Sequence, residues 1–255
     1  MKGNAMKRIG CWTVAWMLAG PAAFAQWNAA EDRSADPALL TWSDPSNWEV
    51  GLVYALVSRP VVLSGIERDF RGDVVDAAIG FSPAPWLLLY GQAGGSQMRL
   101  EGPMREDASF GAGGLLGARV NVWQLNEGES VTSWHVTLQL AGQYAYRTAE
   151  DDGDGEIQWE DAMVMLPLDY HLWFHRNFRN VYMAEIQGLD VYAGPAVSKL
   201  DGTWTRRGVE QDFEELESVG VVAGAELWLL ENLAFGARAD WFEGTTGQVT
   251  VRYRF

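Results

Sequence analysis

The chain has 255 residues, with 19 Lys and Arg against 34 Asp and Glu, for a net charge of −15. So acidic a balance argues against nucleic acid as a partner, which needs clustered basic residues. One cysteine excludes a disulfide framework. The length suits a single β-domain of barrel size.

Lys2, Lys7 and Arg8 form a basic start, Ile9 to Leu18 a short apolar core, and Ala23-Phe24-Ala25 a small-x-small cleavage site. Residues 1–25 therefore read as a secretory signal peptide, too short in its apolar part to span a bilayer as a helix. Its removal takes away Cys11 and three basic residues, so the mature chain is free of cysteine and more acidic still. Residues 26–47, with Pro37, Pro45 and several acids, read as a flexible periplasmic lead-in; an ordered plug is the alternative. The most apolar later run, Val219 to Leu230, is short and contains Glu226, which disfavours helical membrane spans.

From Trp48 onward, runs of period two alternate with connectors. The first, about 48–58, places Val50, Leu52, Tyr54 and Leu56 on one face. The second, about 69–81, sets Val75, Ala77, Ile79 and Phe81 against Asp76 and Gly80. After a turn at Ser82-Pro83-Ala84-Pro85 come 86–100 and 108–123. In the fifth, 131–147, Trp134, Val136, Leu138, Leu140, Tyr144 and Tyr146 oppose His135, Thr137, Gln139, Gln143 and Arg147. From Trp134 to Tyr144 the rise is about 33 Å, which a tilt near 40° reduces to roughly 25 Å, the height of an outer-membrane apolar band. A soluble sandwich strand is usually about half as long. In the sixth run, 157–174, Asp161, Met163, Met165, Pro167, Asp169 and His171 face inward, with a bulge or break expected at Pro167. Runs at 183–200 and 218–229 follow, separated by a long acidic loop at 201–216.

The final hairpin alternates throughout. Leu233, Phe235, Ala237, Ala239 and Trp241 oppose Gly236, Arg238 and Asp240, then Val249, Val251, Tyr253 and Phe255 oppose Thr250, Arg252 and Arg254. Its Tyr-Arg-Phe end resembles the C-terminal strand of bacterial outer-membrane β-barrels. That resemblance implies that Tyr253 and Phe255 are read by the barrel assembly machinery. The expectation is an all-β, antiparallel, up-and-down transmembrane β-barrel over 48–255, of about ten strands, with eight or twelve as alternatives. Thirteen tryptophans suit two interfacial girdles. With a periplasmic N-terminus, connectors near 59–68, 101–107, 148–156, 201–216 and 243–247 lie outside, and those near 82–85, 124–130, 175–181 and 230–232 in the periplasm.

Two local patterns bear on chemistry. Residues 150–161 resemble the calcium loop of EF-hand proteins, with Glu150, Asp152, Asp154 and Asp161 as candidate oxygen ligands and Gly155 at the sharp turn. Both ends depart from that pattern and no helices flank it; a plain acidic hairpin loop is the alternative. Asp169 and His171, two apart, resemble part of the dyad of omptin proteases, while a pair of ordinary lumen groups is the plainer reading. His135 reads as a lumen residue. The predicted lumen charges are Asp76, Arg119, Arg147, Asp169, Glu226, Arg238, Asp240, Arg252 and Arg254, of both signs, expected to pair and fill a narrow interior. No catalytic set, Walker loop or dinucleotide fingerprint is present.

Function follows only coarsely. The first reading is a non-enzymatic outer-membrane scaffold that contacts lipid and presents acidic outer loops to a partner the sequence does not identify. Calcium is its one possible cofactor. A narrow solute channel, an outer-membrane hydrolase and a soluble periplasmic binder are the alternatives.

Overall fold

The computed structural model describes residues 48–101, 106–128, 132–151, 155–174, 186–206, 208–229 and 232–255. The expected signal peptide and lead-in, residues 1–47, lie outside these. The strands are β1 (Trp48–Leu63), β2 (Ile66–Ala84), β3 (Leu87–Glu101), β4 (Glu106–Gly128), β5 (Thr132–Asp151), β6 (Gly155–Met165), β7 (Leu168–Phe174), β8 (Ile186–Arg206), β9 (Val209–Glu215), β10 (Val219–Leu229), β11 (Leu233–Phe242) and β12 (Gly244–Arg254). Every pairing is antiparallel, and β12 closes on β1, with Glu49 opposite Arg254 and Ser58 opposite Thr245.

Two members of the ring are interrupted strands. β6 and β7 continue one another across Leu166–Pro167, both pairing with β5 and β8. The break expected at Pro167 is there, because the ring nitrogen has no hydrogen to donate to a ladder. The ladder is bridged all the same: Gln139 N donates to Pro167 O at 2.9 Å, and Leu166 N to Pro195 O at 3.0 Å. Gly194 lies so close that a Cβ there would meet the Leu166 carbonyl. β9 and β10 are likewise separated at 216–218, and both pair with β8. Counted this way, the barrel is closed, antiparallel and ten-stranded.

The ring changes size along its axis. At the end that holds Trp48 and Phe255, the termini side, it runs β1–β2–β3–β4–β5–β7–β8–β10–β11–β12 and back to β1. The β11–β12 hairpin turns at Glu243 (φ 49°) well short of the far end. Beyond its tip, Val61, Val62 and Leu63 of β1 pair directly with Glu215, Glu214 and Phe213 of β9. The distal ring is therefore β1, β2, β3, β4, β5, β6, β8 and β9. About eight strands leave an interior just wide enough for side chains to fill.

Side-chain patterning inverts at the same level. Along β2, Val75, Ala77, Ile79 and Phe81 face out on the termini side, whereas Glu67, Asp69, Arg71 and Asp73 take that face distally. Inward, Asp76 gives way to Val74 and Phe70. Along β6, outward Val164 and Ala162 yield to Glu160, Gln158 and Glu156, and inward Asp161 yields to Trp159 and Ile157. The termini-side section is apolar outside, with Leu52 63% and Leu116 73% exposed, and carries charges inside. The distal section is charged outside and has an apolar core of Val61, Leu63, Phe70, Met98, Trp159, Leu200 and Phe213. Phe70 is fully buried, its ring 5.4 Å from that of Trp159 and 5.5 Å from that of Phe213. At the boundary, Tyr54 Oη donates to Asp73 at 2.8 Å and Tyr146 Oη to Gln158 at 3.2 Å.

Several connectors are shorter than the sequence pattern predicts. The expected 59–68 connector is a two-residue turn at Ser64-Gly65, both at positive φ (53° and 79°), as a tight hairpin requires. The expected acidic loop at 201–216 is mostly strand, with Asp201 to Arg206 paired to Glu214 to Val209. At 243–247, Thr245, Thr246 and Gly247 are laddered to β1. At 59–68 and 201–216 apolar side chains move to the other face, so the period-two pattern lapses while the strand continues.

Candidate functional site

The inward positions of the ten-stranded section surround a chamber of about 260 Å³. Its charged side chains come from nearly every strand, because alternate residues point inward. Asp76 of β2 and Arg147 of β5 form a bidentate pair, Nη1 and Nη2 donating at 3.1 and 2.5 Å, with both residues buried. Arg238 donates to Asp240 on its own strand, at 2.7 Å from Nε and 2.9 Å from Nη2, and also touches the sulfurs of Met163 and Met165. Arg252 bonds both oxygens of Glu226, the Nε contact at 2.9 Å, and reaches Glu49 at 3.0 Å. Buried charges paired in this way avoid the desolvation cost of an isolated ion.

Arg59 sits where ten strands become eight. Its Nη1 donates to Glu215 of β9 at 2.9 Å and to Ser198 of β8 at 3.1 Å, with Asp161 of β6 at 3.8 Å. The guanidinium also lies over the Phe242 ring, 4.7 Å from its centroid. Only 3% of Arg59 is exposed. Above it begins the distal apolar core, so the chamber is closed on that side.

At the termini end, three aromatic rings stack: His135 on His171 at 4.5 Å, and His171 on Trp173 at 5.6 Å. His171 Nδ1 is hydrogen-bonded to Asp190 Oδ1, and Trp228 Nε1 donates to Asp190 Oδ2 at 2.8 Å. Arg254 lies over the Trp228 ring at 4.6 Å.

The predicted lumen charges Asp76, Arg147, Glu226, Arg238, Asp240 and Arg252 are thus brought into ion pairs. Arg119 and Asp169 line the same chamber, and Arg254 lies at its termini-side edge. Asp169 and His171 do not form a dyad. Asp169 accepts from Gln139 Nε2 at 3.2 Å, and the carboxylate on His171 is Asp190. The proposed calcium set is likewise divided. Asp151 opposes Gly155 at the turn, whereas Asp161 opposes Ala145, roughly 20 Å farther along the strand. Asp161 faces Arg59 in the lumen and cannot complete a loop site with Glu150; Asp152 and Asp154 lie outside the described residues. Among the described residues, no three His, Cys, Asp or Glu side chains are arranged to hold a metal. Tyr253 and Phe255 are exposed on the outer face.

Sequence reasoning missed Glu49, Arg59, Asp190 and Glu215 as lumen residues. Glu49 alternates with outward Val50 and Leu52, so its signal was available. Arg59 and Glu215 fell in segments read as loops.

No protein-family model matches the sequence, and no curated protein matches it. Among solved structures, the chain is similar to the translocator domain of the autotransporter NalP from Neisseria meningitidis, at 9% identity and a TM-score of 0.34, covering 84% of this chain and 90% of that one. It is also similar to the transport unit of the autotransporter AIDA-I from Escherichia coli, at 10% identity and a TM-score of 0.38, covering 85% and 92%. Similarity at this level says nothing about activity. A closed antiparallel ladder with an apolar belt outside and paired charges inside makes the chain a β-barrel of the outer-membrane type.

Proposed function

We propose that the protein is a non-conducting outer-membrane scaffold. The ten-stranded section spans the bilayer, and the eight-stranded section stands beyond it as a rigid platform with an acidic surface. The observation that carries this reading is the inversion of patterning. An apolar exterior suits lipid, and a charged exterior around an apolar core suits water. Solute passage is disfavoured because Phe70, Trp159, Leu200 and Phe213 fill the distal interior. In this reading lipid is the surrounding partner, Tyr253 and Phe255 form the assembly signal, and the protein needs no catalytic residue or resident cofactor. Calcium at the β5–β6 turn would rest on Glu150, Asp152 and Asp154 alone.

Two measurements test it. Purified folded barrel in planar bilayers should give no sustained conductance steps; reproducible steps would overturn the sealed reading. The mature chain lacks cysteine, so Lys199→Cys can be probed with a membrane-impermeant maleimide. Labelling on intact cells is expected, and labelling only after lysis would reverse the orientation.

A further inference from the structure

The chamber in the ten-stranded section is more than leftover space. Of the arginines that line it, Arg59, Arg147, Arg238 and Arg252 each hold a carboxylate at ion-pair distance. Arg119 is the exception: among the described residues it has no hydrogen-bonded or ion-paired partner. Two tyrosines, Tyr90 of β3 and Tyr192 of β8, also line the chamber. Asp169 lines it too, and one of its oxygens, Oδ1, is buried with no hydrogen-bond partner among the described residues, while Oδ2 is taken by Gln139. A buried acceptor left unmade costs free energy, on the order of 1–3 kcal/mol in general, so a chamber lined by such an acceptor and by an arginine that makes no hydrogen bond among the described residues is set up for a polar guest. Apolar wall is close by in Met163, Met165 and Val222.

We propose that this chamber binds a small zwitterion, an ammonium carboxylate with a short apolar body such as a free neutral amino acid. Arg119, with Tyr192, takes the carboxylate, since a guanidinium fork matches its two oxygens. Asp169 Oδ1 accepts from the ammonium. The apolar body lies against Met163, Met165 and Val222. A volume of about 260 Å³ is enough to admit such a molecule. Because the distal side is closed above Arg59, entry is from the termini end, and the chamber is a binding pocket with one mouth.

The test is calorimetric titration of the full folded barrel in detergent with three matched probes: L-leucine, 4-methylpentanoate, which lacks the amine, and 3-methylbutylamine, which lacks the carboxylate. Saturable binding of L-leucine is expected, with each half-probe at least tenfold weaker. Arg119→Gln and Asp169→Asn should each weaken L-leucine at least tenfold, and Glu243→Gln, at the exposed β11–β12 turn, should leave it unchanged. Failure of the wild-type barrel to bind L-leucine overturns the proposal, without reference to whether any variant folds. Equal binding of 4-methylpentanoate and L-leucine overturns the role of Asp169. Conductance is a separate readout, so a channel that still binds L-leucine sinks only the sealed-scaffold reading.

Discussion

The Asp76–Arg147 pair offers the sharpest test of how this interior is held together. Asp76 is 1% exposed and Arg147 6% exposed, on strands that are not neighbours in the sheet. Two parallel N–H···O contacts join them. Removing one partner leaves an unpaired charge at a position where both side chains are almost fully buried, so Asp76→Ala and Arg147→Met should each cost about 3–5 kcal/mol. Removing both leaves no stranded ion, and the double variant should lie within about 2 kcal/mol of wild type. Independent sites would instead sum to about 6–10 kcal/mol. Urea unfolding in lipid vesicles, followed by tryptophan fluorescence, reads the cycle, and a heat-modifiable gel band checks that each variant starts as a closed barrel. Single variants that cost under about 1 kcal/mol, or a double that costs the full sum, would refute the idea that the pair matters through mutual neutralisation.

Two further outcomes follow from the fold. Phe70→Ala empties the centre of the distal core beside Trp159 and Phe213, and should lower unfolding stability by about 3–5 kcal/mol in the same assay; no loss would mean that the core is not packed around Phe70. Gly194→Val places side-chain carbons against the Leu166 carbonyl at the proline break, and overpacking of this kind should cost about 1–3 kcal/mol. An unaffected urea midpoint would show that the β7–β8 approach leaves room for a side chain at Gly194.

The strands that keep one phase throughout were legible in the sequence. In β5, β11 and β12, outward Tyr144, Phe235 and Val249 and inward Arg147, Asp240 and Arg252 lie where alternation puts them. The ten-strand reading held because turn residues separate the runs. What alternation could not show was the exit from the apolar belt. At Val57-Ser58-Arg59 the hydrophobic phase slips to the other face, and a reader tracking apolar residues on one side sees the strand end. The 201–216 segment misled for the same reason, its acids other than Glu215 being the outward face of a hairpin whose inward face holds Trp204 and Phe213. Asp161 was ambiguous between lumen and loop because spacing to a turn says nothing about which residues the register carries away from it. Arg59 could not be placed without knowing that β9 bypasses the β11–β12 hairpin.

That bypass ties the two halves together physically. A barrel section with a polar exterior gains nothing from a surrounding apolar medium, so its stability has to come from burial inside. Apolar side chains must then turn inward, and they stabilise only if they touch. A ring of ten strands is too wide for the Phe70, Trp159 and Phe213 rings to meet at 5.4 and 5.5 Å without additional filling. Ending β11 and β12 early removes two strands at the level where the phase inverts, and β9 closes the gap against β1. Arg59, facing Glu215 and Asp161, occupies the step left by that change in width. The chamber below it follows from the same geometry: ten strands around short inward residues such as Gly80, Ala141 and Gly236 enclose more volume than their side chains fill. The packed distal core and the chamber are thus two results of one change in strand number.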